Sequence, residues 1–71
     1  MQSTMLISIY GEPASREMAK LTLENQPEVR RIDASPDFGE LRLLTSKPLD
    51  EGQLLLLLQS SGISGFRLIR C

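Results

Sequence analysis

From Met5 to Tyr10 the chain alternates, with Met5, Ile7 and Ile9 on one side and Leu6, Ser8 and Tyr10 on the other. A period of two predicts a strand with one face toward a core. Gly11-Glu12-Pro13 interrupts it, and Pro13 suits the first turn of a helix, where its absent N–H is not needed. That helix is expected to run to about Asn25. Ala14, Met18, Leu21 and Asn25 form its inward stripe, Arg16, Lys20 and Glu24 turn away, and Leu23 is left on the polar side. Pro27 closes the segment. Val29 to Ala34 reads as a second strand, although Val29 and Ile32 have mismatched parity, so a bulge or a late start is needed to bury both. Ser35-Pro36-Asp37-Phe38-Gly39 is rich in turn residues. Leu41 and Leu43 then alternate with Glu40 and Arg42, giving a third strand in a hairpin with the second.

The second helix carries the clearest start signal. Asp50 is an N-cap, Gln53 completes a capping box, and Leu49 with Leu54 can form the accompanying hydrophobic staple. Leu54, Leu57, Leu58 and Ser61 make its inner face, Leu55 and Leu56 do not fit there, and Gly62 supplies the left-handed residue that ends it. Phe66 and Leu68 alternate with Arg67 and Ile69 in a final strand from about Gly65 to Arg70. The order is βαββαβ, an α+β pattern whose expected solution is ferredoxin-like: two helices on one face of a four-stranded antiparallel sheet. Residues 1–4 are expected to be disordered and 5–71 to form the single domain.

With these elements placed, the chain resembles the heavy-metal-associated domain, the module of copper chaperones and of the N-terminal regions of metal-pumping ATPases. The resemblance covers most of residues 5–69. It rests on the strand ending at Gly11, the helix after it, the spacing Val29-x-x-Ile32-x-Ala34, the Asp37-Phe38-Gly39-Glu40-Leu41 hairpin and the closing Ser61-Gly62-Ile63. It implies a ferredoxin-like fold. The family's metal chemistry resides in a Cys-x-x-Cys loop after the glycine, and here Ala14 and Glu17 stand at the cysteine positions. Ala14 has no ligand atom, and a Glu17 carboxylate is too hard an oxygen donor for Cu(I). The metal-carrying role does not transfer to these positions, and no cofactor is expected.

Composition narrows the chemistry further. The chain has no His, and its single cysteine is Cys71. Nucleophilic catalysis has no evident base, the adjacent acids Asp50 and Glu51 fit a helix start, and Gly11 begins no phosphate loop, so no enzyme activity is expected. Cys71 reads as a free terminal thiol, with one alternative: a metal-handling protein using Cys71 or an intermolecular site. Met5 and Met18 are expected in the core. One thiol makes no internal disulfide, which fits a cytoplasmic setting. The apolar run Leu54–Leu58 is too short to span a membrane. Eight basic against nine acidic residues, a net charge of −1, argue against strong binding to nucleic acid.

What remains is surface. Leu6, Leu44 and Ile69 share the sheet face away from the helices with Tyr10, Arg42 and Arg67, and Leu55 and Leu56 add exposed apolar area on the second helix. These eight residues are the candidate interaction surface, for a protein partner or for self-association. The fourth strand is a candidate for pairing with a second chain. Weak RNA binding on the open face ranks third, since Tyr10 is the only aromatic there and Asp33 and Glu40 dilute the arginines. The leading expectation is a non-enzymatic interaction module.

Overall fold

The structure, a computed structural model, describes residues 2–70. Its elements are β1 (Ser3–Tyr10), α1 (Pro13–Glu24), β2 (Val29–Ala34), β3 (Glu40–Thr45), α2 (Glu51–Ser60) and β4 (Gly65–Arg70). They form one four-stranded antiparallel sheet in the order β2-β3-β1-β4. The expected ferredoxin-like α+β architecture is the one observed. β1 starts earlier than the alternation indicates: Ser3 and Thr4, expected to be disordered, pair with Thr45 and Leu44. Met1 and Cys71 lie outside the described residues.

Alternation fixes the two sheet faces. Met5, Ile7 and Ile9 of β1, Leu41 and Leu43 of β3, and Ile32 of β2 are buried under the helices. Met5 is held further by its sulfur, which accepts the Leu49 N–H at 3.4 Å. The mismatched parity of β2 is resolved by a register shift between Val29 and Arg31, which lets Val29 pack against the core while Ile32 remains buried. A second shift, opposite Leu6 and Ile7, falls near Ile69 in β4.

The inward face of α1 differs from the expected one. Ala19 and Leu23 are fully buried, whereas Met18 and Leu21 are 52% and 44% exposed and Ala14 and Asn25 also face solvent. Met18 is therefore not a core residue, and Leu23 is not stranded. Two stripes satisfy the helical period here: Ala14-Met18-Leu21-Asn25 and Ser15-Ala19-Leu23 with Thr22 and Gln26 beside it. The second wins because small Ala19 lets the helix axis approach the sheet, and full burial of Leu23 is worth about 2 kcal/mol. Where the helices meet, the hydroxyls of Thr22 and Ser61 lie 3.0 Å apart, and Ser61 Oγ donates to the Leu57 carbonyl.

The start of α2 forms the expected N-cap and apolar pair but not the reciprocal Gln53 side-chain bond of a capping box, among the described hydrogen bonds. The Asp50 carboxylate accepts the N–H groups of Gly52 and Gln53, and Leu49 and Leu54 are both buried around it. Gly62 follows at φ +88°, a left-handed conformation that favours glycine, and a Cβ there would also displace the Ser15 hydroxyl, 2.9 Å away.

Candidate functional site

Three connections meet at one end of the sheet: the β1–α1 loop, the β2–β3 hairpin and the α2–β4 loop. The Tyr10 carbonyl accepts both the backbone N–H and the hydroxyl of Ser64, at 2.8 and 2.9 Å. Ile63 packs close to Gly11, where an added Cβ would sit 3.4 Å from its side chain. The Gly39 carbonyl takes the Ile9 N–H at 2.9 Å, tying the hairpin to β1. The hairpin is closed by Asp37, whose carboxylate accepts the Gly39 N–H and the Ser35 hydroxyl. These bonds, with a smaller contribution from the Arg16 guanidinium, hold its pKa below the ordinary carboxylate value. Phe38, not Gly39, adopts the left-handed conformation, with φ 58°.

This end is where a metal loop would lie, and its donor set does not fit a soft metal ion. α1 starts at Pro13, and Ala14 and Glu17 both sit on its exposed side. Among the described residues no three His, Cys, Asp or Glu side chains come together. A shallow depression here is lined by Tyr10, Arg16, Asp37 and Glu40, with both signs of charge and no sulfur or imidazole.

The open sheet face carries most of the sequence-derived candidates. Thr4, Leu6, Ser8 and Tyr10 of β1 point to it, and the ladder sets Leu6 opposite Arg42, Ser8 opposite Glu40, and Asp33 opposite Arg42. Leu44 stands opposite Thr4 and Arg31, and Arg67 opposite Ser8. Leu6 and Leu44 are half-buried, while Tyr10, Arg42, Arg67 and Ile69 are exposed. Five of the eight candidates, Leu6, Tyr10, Arg42, Leu44 and Arg67, thus share this face, with Leu44 and Tyr10 toward opposite ends of it, and Ile69 is the exposed, unpaired residue of the β1–β4 register shift. Leu55 and Leu56 belong elsewhere, on α2 across the core, at 44% and 70% exposure. Charge across the open face is uneven. Arg31 pairs with Asp33 at 3.2 Å on β2, whereas Arg67 on β4 has only Ser8 beside it in the ladder.

Sequence reasoning missed two features of the loop end. Arg16, assigned to the outward side of α1, is half-buried there, with its Nε enclosed and unpartnered. The left-handed Phe38 had no local signal, since glycine follows it directly.

The fold, with its loop end between β1 and α1, is that of the heavy-metal-associated domains. Among solved structures the chain is similar to the yeast copper transporter domain CCC2A, with a TM-score of 0.75 and 13% identity over 94% of each chain. It is also similar to the N-terminal domain of ZntA, with a TM-score of 0.77 and 12% identity over 99% of this chain and 96% of that one. A third similar structure is the CsoZ metallochaperone, with a TM-score of 0.51 and 13% identity over 97% and 96%. No family model and no curated protein sequence matches the chain. Among the described residues no helix is long and apolar enough to cross a membrane.

Proposed function

We propose that this chain is a non-enzymatic interaction module, a heavy-metal-associated fold that contacts a protein partner and does not carry a metal ion in its β1–α1 loop. The observation that carries this reading is the loop itself. Ala14 and Glu17 occupy the positions where thiolates are required, while Leu6, Ile69, Leu55 and Leu56 leave apolar side chains in contact with solvent. The sheet and its two helices act as one domain from Ser3 onward, and a reducing, cytoplasmic compartment suits a chain with one cysteine.

The test is a titration of reduced protein with Cu(I) and with Zn(II) beside a competing chelator, followed through backbone amide resonances. The expected result is no localised change at residues 11–17. Tight binding with shifts confined to that loop overturns the reading.

The similar structures favour a second reading, because two of them are a copper transporter domain and a metallochaperone. In this reading Cys71 supplies the thiolate, alone or across two chains. Cys71→Ser then abolishes metal uptake while the amide spectrum of the fold is preserved; unchanged uptake removes this alternative.

A further inference from the structure

The sheet has two unpaired edges, β2 and β4, and they are built differently. β2 is guarded. Arg30, Arg31 and Asp33 are exposed on it, and an ion pair joins two of them. β4, Gly-Phe-Arg-Leu-Ile-Arg, has no proline, no acid and no lysine; its ladder with β1 is regular from Gly65 to Leu68, and its own register shift is confined to Ile69 near the end of the strand. Its core-side residues Phe66 and Leu68 stay only partly buried against the helix layer.

Helix α2 packs over this side of the sheet, as α1 does over β2. Ser61 faces α1 through Thr22, and Leu57 lies on the same flank of α2. At 3.6 residues per turn, Leu55 projects from the opposite flank, the one above the free edge of β4. The edge therefore offers unpaired backbone groups between two apolar margins: Leu55, Phe66 and Leu68 below, and Ile69 above.

Charge selects the occupant. Arg67 points to the open face. The acids of that face, Glu40 on β3 and Asp33 on β2, are two and three strands away, about 10 and 14 Å at ordinary strand spacing. Solvent screens them at that range, so a cation at the edge faces outward with no counter-charge within contact distance among the described residues.

We infer that the free edge of β4 receives an extended segment of another protein as a fifth strand, apolar at alternate positions toward Leu55, Phe66 and Leu68, and acidic where it passes Arg67. This rests on the interaction-module reading and names its surface. Main-chain bonds supply affinity in such strand addition, and alternate side chains supply selectivity. A second copy of β4 is a poorer occupant, because it brings Arg67 toward an identical strand that carries no acid.

The test uses isotope-labelled protein and a panel of octapeptides, with Val, Ile or Phe at alternate positions and Asp, Glu or Thr between them. Lysine-for-acid and proline-interrupted versions serve as controls. The expected result is saturable shifts at residues 65–70 and at Leu55, slowed exchange of β4 amides, and loss of both with the control peptides. Arg67→Glu weakens the acidic peptides about fivefold, the scale of an exposed ion pair, and reverses the preference toward lysine. Leu55→Ser, at an exposed helical site, removes the apolar contact without adding charge and also weakens the acidic peptides. Shifts centred on β2, the absence of binding across the panel, or a peptide-independent dimer joined through β4 overturns the inference. Response of Leu6, Arg42 and Leu44 alone sinks the edge while keeping the interaction module. Localised metal binding at residues 11–17 sinks the module itself, whatever the peptides do.

Discussion

The two helices lie side by side on the same sheet, yet they are held there by different means. α2 is fixed at its start by the Asp50 side chain, inside by Leu54 and Leu58, and at its end by Gly62. α1 has Glu12 at its N-cap with no side-chain hydrogen bond, relies on Pro13 to begin, and of its two fully buried residues, Ala19 and Leu23, one is small where α2 buries two leucines. A helix with its own terminal signals tolerates exposed leucines such as Leu56. One without them depends on the few side chains that reach the sheet. The helix that borders the loop end is thus specified mainly by tertiary packing.

The largest effect that sharpens this contrast is in the core. Leu23→Ala and Leu54→Ala are each expected to lower unfolding free energy by about 2–5 kcal/mol, whereas Met18→Ala costs less than about 1 kcal/mol, as read from urea denaturation midpoints. If Met18 matches Leu23, the inward face of α1 is wrong. Next come the helix starts: Asp50→Ala is expected to cost about 1 kcal/mol and Glu12→Ala close to nothing, in the same assay. Equal losses would show that α1 is capped after all.

The smallest effect concerns the hairpin next to α1. Asp37 has a depressed pKa in the folded chain, so its contribution is present above the ordinary carboxylate value and is lost as pH falls through the lowered one. Because the carboxylate is exposed, the change is modest. Amide shifts of Ser35 and Gly39 should titrate below about pH 4, the ordinary carboxylate range, and lose this step in Asp37→Ala. Arg16→Gln should move the midpoint upward slightly, since the guanidinium favours the charged form.

Much of the fold was legible because period-two alternation survives in β1, β3 and most of β4 and because Asp50, Gly62 and Pro13 act locally. The β2 register shift was legible too, since Val29 and Ile32 could not otherwise both pack inward. The face of α1 was not: its sequence supports two stripes of equal period, and only contact with the sheet chooses Leu23 over Met18. The reciprocal half of the capping box is likewise not formed among the described hydrogen bonds, where Gln53 contributes its backbone N–H alone. For the candidate surface, strand parity placed Leu6, Arg42, Leu44 and Arg67 on one face. The distance of Leu55 and Leu56 from that face follows from how α2 crosses the sheet, which parity does not encode.

One feature of the topology bears on how the molecule forms. β1 lies in the middle of the sheet, but its two partners come later in the chain, and Tyr10 must wait for Gly65 before its outer side is paired. Closing so long a loop places this domain, with its mixed helices and strands, below helical bundles in expected folding rate. Until β4 docks, β1 itself presents an unpaired, largely apolar edge, so during synthesis the vulnerable strand is the central one. A chain ending before Gly65 would retain that edge permanently and should aggregate.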